Sequence, residues 1–497
     1  MTEQILSPAV IGAILLCYFA MLVGLSRLTA KSGSNADFFQ GGKKSPWMVV
    51  AIGMIGTSLS GVTFISVPGW VGSSGYSYMI VVFGYLIGYL AITQWLLPLF
   101  YSSKHSSIYG YLEDTYGVLA RKTGALFFLL SRILGASFRL YLVAIVLDKF
   151  VLGPLGIPFV GTVAISLVLI YLYTSKGGIK TIIWTDLFQT IFMLGALGLT
   201  IFQLSNVEGM DIWANAGYAN SWLNPVDILA KTHPLKQFIG GALIAFCMTG
   251  LDQDMMQKNL SCSTLQESKK NIWLFSGILV FVNFLFLFMG EGLFDLAAGT
   301  GMTLPEKSDQ LFPTLALNGS LGVGVALMFV LGLVAAAYSS ADSAITALTT
   351  SVINDFWNGE KKSEAEVRRM RKWVHPIMAL VLLVVIVVFN QVSESSVISE
   401  LLTVAGYTYG PLLGLFVFGM IHTSRKVQDK RVPMAIGIGL LVALGLKWII
   451  ENIHQLSTIN PTEVVDPGYQ FGFEFLGLNG LLCYGCLYLF SLKTTRK

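Results

Sequence analysis

The sequence contains little charge. Asp, Glu, Lys and Arg together make up 12% of the 497 residues, whereas hydrophobic residues make up 54%. Soluble domains carry about 25% charged residues. No water-soluble core could enclose so much apolar surface, so the solvent around the folded chain must be lipid. The composition excludes an ordinary soluble domain and predicts an all-α polytopic membrane protein.

Residues that build metal, redox and nucleotide sites are also scarce. The five histidines are dispersed among predicted loops and helix ends, which disfavours an enzyme. Among the five cysteines, Cys483 and Cys486 form one C-x-x-C pair with no second pair nearby, so apolar packing explains them better than a metal or redox site. The chain also lacks a G-x-x-x-x-G-K-[ST] nucleotide-binding loop. ATP is therefore excluded as the energy source in this chain, and an ion gradient becomes the default.

Long apolar stretches are what the sequence has in abundance. Thirteen windows are long enough to cross about 30 Å of hydrocarbon. They lie near residues 8–28, 46–70, 77–101, 122–150, 158–175, 181–204, 236–258, 271–299, 320–355, 373–391, 397–421, 432–452 and 473–493. The first window is too long for a signal-peptide core and no basic segment precedes it, so we expect a permanent helix.

Lysine and arginine are distributed unevenly among the predicted loops. With the N-terminus outside, 25 of the 32 fall on the cytoplasmic side, Lys258 among them, and Arg132 and Arg139 are the two inside a span. Cytoplasmic loops carry such an excess of Lys and Arg. The sequence predicts a multi-pass protein of the cell's inner (cytoplasmic) membrane, surrounded by lipid, with the N-terminus outside and the C-terminus cytoplasmic. No nucleic acid and no obligatory protein partner is inferred.

The span 320–355 carries a polar face. At about 100° per residue, its small and oxygen-bearing side chains share one broad side of the helix. They are Ala336, Ser339, Ser340, Asp342, Ser343 and Thr346. Oxygen atoms are the ligands that hard cations such as sodium prefer. The alternative is that small residues merely allow close helix packing, but Asp342 adds nothing to packing and is costly in lipid.

A second intramembrane carboxylate, Asp186, lies in the helix introduced by Gly177-Gly178. A buried aspartate needs a cation or a network of hydrogen-bond donors. From this residue alone, a cation site and an aspartate satisfied by neighbouring hydroxyls are equally good explanations.

Two of the predicted spans are poor helices. Glycines and hydroxyls crowd the middle of one span between Gly53 and Thr63, and Thr249 to Asp254 interrupts another. The two spans run in opposite directions and lie about five spans apart. Broken helices in this relation are typical of inverted-repeat transporters, in which unwound carbonyls bind the ion and half-helix ends face the substrate.

Several motifs resemble those of the sodium:solute symporter family. They are residues 36–42 with Pro46-Trp47, Gly56 to Pro68, Ser107 to Glu113, Gly177 to Asp186 with Gln189, Ala335 to Ser343, and Gly410 to Gly414. They recur in the family's order from about residue 36 to 420. The resemblance implies a LeuT-type core over 46–421, built of two inverted five-helix repeats, 46–204 and 236–421. Residues 1–45 would add one helix and the first cytoplasmic loop, and 432–497 two helices and a cytoplasmic tail.

The resemblance also implies sodium sites. The family's common site, carried over by position, would use Gly56, Leu59, Ala336, Ser339 and Ser340. Gly56 stands where Ala is usual, which matters little for a carbonyl ligand. A second site, present in some members, would use Asp186, Ser339, Asp342 and Ser343. Asp342 replaces a small hydroxyl or neutral residue, so it would strengthen the second site, admit a proton or pair with an arginine. The number of coupled sodium ions is therefore one or two.

Arg132 and Arg139 lie at i and i+7 on one face of the third core helix. A guanidinium suits a carboxylate because it offers paired donors. The alternative is a structural arginine neutralised by Asp342 or Asp186. The family's sialic-acid-transporting members resemble this arrangement in function only, since their carboxylate-binding Arg falls at what is here Gly135.

The candidate substrate residues belong to the two broken helices and their neighbours. They are Ser58, Ser60, Thr63, Tyr78, Arg132, Arg139, Thr249, Asp252 and Tyr407. Residues 245–249 lack the Asn and Tyr of the sugar-transporting branch, so a hexose is not favoured. We expect sodium-coupled symport of a small polar solute into the cytoplasm by alternating access. The favoured solute is an anionic or zwitterionic carboxylate. The alternatives are a sodium-coupled sugar or polyol symporter and a sodium-independent uniporter or channel of the same fold.

Overall fold

A computed structural model describes residues 6–29, 34–103, 105–208, 212, 227–392, 397–457 and 469–493 of the chain. The helices of the first half are α1 (Pro8–Thr29), α2 (Asn35–Gln40), α3 (Trp47–Ser58), α4 (Gly61–Ser74), α5 (Tyr78–Ala91), α6 (Leu97–Ser102), α7 (Gly110–Thr115), α8 (Val118–Leu147), α9 (Phe159–Gly177) and α10 (Ile179–Ser205). Those of the second half are α11 (Pro234–Ala245), α12 (Gln253–Asn259), α13 (Leu265–Gly299), α14 (Leu311–Leu317), α15 (Gly322–Ser351), α16 (Glu364–Val392), α17 (Val397–Ile421), α18 (Val432–Ser457) and α19 (Phe475–Phe490). The predicted all-α class is confirmed.

The long helices account for twelve of the thirteen predicted membrane spans. In the described residues, ten helices are long and apolar enough to cross a membrane, and two bent pairs of helices raise the number to 12. The thirteenth predicted window, 473–493, contains α19, whose 16 residues fall short of the roughly 20 that a span needs. A count of thirteen spans therefore stays a prediction.

Both predicted interruptions are sharp breaks. The pair α3 and α4 bends by 59° at Leu59-Ser60, and α11 with its continuation to Gly250 bends by 68° before α12. Leu59 leaves the helical conformation at φ −83° and ψ 76°. At the second break, the Asp252 side chain caps α12 by accepting hydrogen bonds from two backbone N–H groups. The last carbonyls of a helix have no partner within it, so each break offers backbone oxygen in the interior of the protein.

Close packing fixes the second broken helix against α5. A Cβ atom on Gly84 would lie 2.2 Å from the carbonyl oxygen of Phe238, and one on Gly241 would lie 2.1 Å from that of Val81. Association of membrane helices depends on van der Waals packing, and small residues allow the backbones to approach this closely. Glycine is therefore required on both sides of the contact between α5 and α11.

A short antiparallel sheet joins the segments that follow α17 and α19. Strand β1 (Arg425–Val427) pairs with β2 (Ser491–Lys493), and Lys426 lies opposite Leu492. The side chains of His422 and Tyr484 also contact each other, at 2.6 Å between Nε2 and the hydroxyl oxygen. The chain therefore leaves this end of the molecule through α18 and returns to it through α19.

Candidate cation and substrate sites

The first break lies against the polar face of α15. The Ser340 hydroxyl donates to the backbone carbonyl of Thr57 at 3.2 Å, and Ser339 Oγ lies 3.3 Å from Thr57 Oγ1. All three residues are buried. The structure therefore places Ser339 and Ser340 of the predicted common sodium site against Thr57, next to the predicted ligands Gly56 and Leu59 in the sequence of the first break. Ala336, the fifth predicted ligand, is buried one turn earlier on α15.

Gly56 has a second role that the sequence did not reveal. Its backbone N–H donates to Thr190 Oγ1 at 3.1 Å, and a Cβ atom at position 56 would lie 2.5 Å from that oxygen. The absence of a side chain lets α3 approach α10 beside the residues predicted to bind sodium. The sequence analysis considered position 56 only as a carbonyl ligand, for which Gly and Ala are the same, and did not foresee this packing against Thr190.

Asp186 lies next to this break and has a lysine partner. Lys258 Nζ is 2.6 Å from Asp186 Oδ2, and the Thr57 hydroxyl donates to the same oxygen at 3.1 Å. The Ser339 hydroxyl donates to Oδ1 at 2.6 Å. Lys258 Nζ also donates to Thr57 Oγ1. The carboxylate, its ammonium partner and both hydroxyls are buried.

The placement of Lys258 corrects the sequence analysis. The lysine was expected in a cytoplasmic loop, but it lies on α12 and only 1% of its surface is exposed. It is thus a third intramembrane cation beside Arg132 and Arg139. The signal was present in the sequence, because a break at Thr249–Asp254 leaves a half-helix inside the protein and Lys258 is one turn after Asp254.

The remaining residues predicted for a second sodium site point to other partners. Asp342 Oδ2 accepts a hydrogen bond from the Tyr173 hydroxyl on α9 at 2.8 Å, and Oδ1 has no partner among the described residues. The Ser343 hydroxyl donates to Asp254 Oδ2 at 3.1 Å. The two acids of the prediction therefore have separate donors, and among the described residues Asp342 forms no ion pair with an arginine.

A cavity with an empty volume of about 770 Å³ lies beside the first break, between both broken helices and α8. Its walls include seven of the nine predicted substrate residues, which are Ser58, Ser60, Thr63, Tyr78, Arg132, Arg139 and Thr249. They also include Tyr85, Tyr89 and Asn283, which the sequence analysis did not single out. Apolar and aromatic side chains with a few polar groups among them are the usual lining of a small-molecule site.

The two predicted arginines have different surroundings. Arg132 forms an ion pair with Asp254 and lies 3.9 Å from an Asp252 carboxylate oxygen. The alternative of a structural arginine thus applies to Arg132, with Asp254 as the partner rather than Asp342 or Asp186. Arg139 is 8% exposed, its Nε is unpartnered, and no carboxylate among the described residues lies within ion-pair distance. Arg139 therefore presents an uncompensated guanidinium to the cavity.

Asp252 and Tyr407 are absent from the cavity wall. Asp252 accepts a hydrogen bond from the Tyr409 hydroxyl at 2.5 Å besides capping α12, so its oxygens are used in holding the second break. The Tyr407 hydroxyl accepts a hydrogen bond from Lys447 Nζ at 3.0 Å, and its ring packs against Phe475. Tyr407 therefore faces the C-terminal helices.

Charged side chains form a cluster where residues 105–121 contact residues 355–360. Arg121 pairs with Glu113 and Asp355, each at 2.8 Å, and with Glu360 at 3.4 Å. Partial burial lowers the pKa of His105, but hydrogen bonds to Glu360 and Asp114 outweigh it and raise the pKa above the usual value. Burial raises the pKa of Glu360, and donors from Ser106 and His105 more than offset this, so the pKa is lowered overall.

The sequence is similar to those of known transport proteins. The profile of the sodium:solute symporter family matches residues 38–428. The chain is 25% identical over 461 residues to human sodium-coupled monocarboxylate transporter 1, covering 88% of this chain and 73% of the relative. It is 25% identical over 481 residues to the sodium/sialic acid symporter NanT of Aliivibrio fischeri, covering 92% of this chain and 91% of the relative.

Two solved structures share the fold. The substrate-bound, outward-open state of a Na⁺-coupled sialic acid symporter superposes with a TM-score of 0.82 at 19% identity, over 98% of this chain and 99% of the other. Mhp1, a nucleobase-cation-symport-1 family transporter, superposes with a TM-score of 0.57 at 16% identity, over 91% and 94% of the two chains. The predicted LeuT-type fold is confirmed.

Proposed function

The chain belongs to the sodium:solute symporter family, and we propose that it uses a sodium gradient to take up a small solute bearing a carboxylate. Family membership makes it a multi-pass membrane transporter rather than an enzyme, with sodium and a small molecule as its cargo. The site residues, the nature of the solute and the orientation in the membrane are the parts of the proposal that experiments must test.

Sodium binds, in this proposal, at the first break. Its ligands are the carbonyls of Gly56, Leu59 and Ala336 and the hydroxyls of Ser339 and Ser340. The hydroxyl contacts of both serines with Thr57 support this assignment, because they hold α15 against the unwound segment. Ser58 and Ser60 line the cavity next to these ligands, so an ion that orders the break also orders the walls of the substrate site.

Arg139 carries the proposal of a carboxylate substrate. A buried guanidinium without a counter-ion is costly in a low-dielectric interior, and a carboxylate in the cavity would supply paired acceptors for it. Hydroxyls of Ser58, Ser60 and Thr249 on the same walls are suited to binding the rest of a polar solute. The names of relatives that carry monocarboxylates and sialic acid support the same class of substrate.

A sugar or polyol is the second candidate. Three tyrosines, Tyr78, Tyr85 and Tyr89, line the cavity, and aromatic rings with hydroxyl neighbours suit a neutral polyol. This candidate leaves the charge of Arg139 uncompensated when the substrate is bound. The carboxylate is favoured for that reason.

A thermal-shift screen of the purified protein tests the proposal. Each solute is added with and without sodium, and the panel pairs each carboxylate with its neutral amide and includes neutral sugars. We expect stabilisation by one or more carboxylates that is larger with sodium, and none by the matched amides. Stabilisation by sugars alone would favour the second candidate, and equal shifts without sodium would contradict coupling.

The proposed location is the inner (cytoplasmic) membrane, with the N-terminus outside and the C-terminus inside. The pairing of β1 with β2 supports α19 as the thirteenth span, because α19 returns to the end that α18 left. We keep 46–421 as the proposed transport core. Single cysteines at Thr232 and Ser363, on a cysteine-free background, test the orientation with an impermeant thiol reagent on right-side-out vesicles. Thr232→Cys should react and Ser363→Cys should not, and equal labelling would contradict the helix count.

A further inference from the structure

The carboxylate of Asp186 already has donors on both oxygens. Oδ1 accepts a hydrogen bond from Ser339 at 2.6 Å. Oδ2 accepts from the Thr57 hydroxyl at 3.1 Å and from the ammonium of Lys258 at 2.6 Å. Asp186 and Lys258 are both buried. The negative charge that was expected to attract a second sodium ion is therefore balanced by a cation that belongs to the chain.

The other expected ligands of that second site are also engaged. The Ser343 hydroxyl donates to Asp254 at 3.1 Å and to the carbonyl of Ser339 at 2.8 Å. Asp342 accepts from Tyr173 on α9. Apart from Asp342 Oδ1, the side chains expected to form the second site therefore already have partners within the protein.

We propose that the ammonium of Lys258 is a built-in cation that takes the place of a second sodium ion, so that the protein binds a single sodium ion at the first break. The proposal rests on the sodium-coupled function proposed above. Two positive charges on one buried carboxylate repel each other strongly in a low dielectric. A buried carboxylate without any cation is equally unfavourable. Lys258 satisfies Asp186 in the absence of an ion from solution.

The position of Lys258 also connects the two broken helices. The lysine extends from α12, just after the second break, to Thr57 at the end of α3 and to Asp186 on α10. Thr57 is adjacent to Ser58, and both line the substrate cavity. A sodium ion at this point would contact only the oxygens around it. The lysine is covalently part of α12, so its contacts link the second half-helix to the first break.

Counting bound sodium ions tests the proposal without knowledge of the solute. Radioactive sodium is bound to the purified full-length protein in a scintillation proximity assay, with no solute present. We expect wild type to bind a single ion and Lys258→Ala, which exposes the Asp186 carboxylate and opens space beside it, to gain a second. Lys258→Arg keeps the cation and should stay at one, and adding Asp186→Asn to Lys258→Ala should remove the second ion.

Lys236→Ala is the matched control. Lys236 is also buried, lies on the same broken helix and approaches Glu474 at 3.9 Å, but it is not near the first break. Its loss should leave the count of sodium ions unchanged. If Lys258→Ala does not fold, Lys258→Gln takes its place, with the same gain expected.

The outcomes separate this proposal from the one on which it rests. Two sodium ions on wild type, or a single ion on both wild type and the folded neutral variant (Lys258→Ala or Lys258→Gln), would overturn the role of Lys258 and leave sodium coupling standing. The absence of any sodium binding by the folded wild-type protein would contradict the proposed function itself.

Discussion

Arg132 and Asp254 form a buried ion pair that joins α8 to the half-helix α12. The exposed fractions of the two side chains are 4% and 0%, so neither charge has access to bulk water. The pair stands next to the cap of α12, because Asp252 lies 3.9 Å from the same guanidinium. It therefore holds the second break in position.

Removal of Arg132 should destabilise the protein. Arg132→Gln leaves Asp254 buried without its cation, and the loss of one partner of a buried pair costs about 3–5 kcal/mol. We expect a large drop in the thermal unfolding temperature in detergent. Adding Asp254→Asn should recover part of the loss, since position 254 then carries no unpaired charge and Asp252 keeps its hydrogen bonds from Tyr409 and the start of α12. An unchanged unfolding temperature in Arg132→Gln would show that the pair is not structural.

Gly56 should tolerate no side chain while Thr190 is present. In Gly56→Ala, the new Cβ would lie 2.5 Å from Thr190 Oγ1, and overpacking of this kind costs about 1–3 kcal/mol. The double variant Gly56→Ala with Thr190→Ala removes the clashing oxygen and should be more stable than Gly56→Ala alone. Thermal unfolding of wild type, the two single variants and the double variant gives the coupling energy between positions 56 and 190. Strict additivity of the two changes would contradict the contact.

The Ser340 hydroxyl should contribute to sodium affinity. Ser340→Ala removes one oxygen ligand and the hydrogen bond to the Thr57 carbonyl, so the sodium concentration for half-maximal binding should rise by about 3- to 10-fold, which corresponds to the roughly 0.5–1.5 kcal/mol of a hydrogen bond. Ser137→Ala is the control, because Ser137 is a buried serine whose hydroxyl has no partner among the described residues. Equal sodium affinity in Ser340→Ala and wild type would refute the site.

The cluster around His105 should make stability depend on pH. The pKa of His105 is raised in the folded protein, so protonation stabilises the fold below the unfolded value of about 6.5, and this contribution is lost as pH rises through the folded value. We expect the unfolding temperature to fall between about pH 6 and pH 8 and to fall less in His105→Gln. His233→Gln, at a helix start in a different part of the chain, leaves this cluster intact, so its unfolding temperature should fall with pH by as much as that of wild type even if the loss of the helix cap lowers it at every pH. An identical pH profile in His105→Gln would rule out this contribution.

The architecture could be predicted from sequence because lipid imposes simple rules. Long apolar windows predicted the membrane-spanning helices, and glycines and hydroxyls in mid-span predicted both breaks, each through a cost that depends on local composition. The residues that line the cavity followed from the same breaks. Seven of the nine proposed substrate residues lie on its walls.

The pairing of charges could not be predicted in the same way. Contacts between α8, α10 and α12, which are distant in sequence, decide two outcomes. They determine which carboxylate pairs with Arg132, and they determine that Lys258 lies in the core rather than in a loop. Tyr407 illustrates the same limit, because the sequence places it near the core and only packing against Phe475 turns it towards the C-terminal helices. Helical periodicity identifies the face of a residue on its own helix, but it does not identify the neighbour.

Sodium-driven uptake into proteoliposomes tests the central claim most directly, with Arg139 as the variable. Lactate, pyruvate, butyrate and sialic acid are offered in labelled form, together with lactamide and glucose, under an inward sodium gradient. We expect accumulation of a carboxylate that collapses when potassium replaces sodium, no accumulation of lactamide, and an affinity about 10- to 100-fold weaker in Arg139→Gln, as for a lost hydrogen bond to a charged group. Uptake that ignores sodium, or carboxylate uptake that is unchanged in Arg139→Gln, would contradict the account.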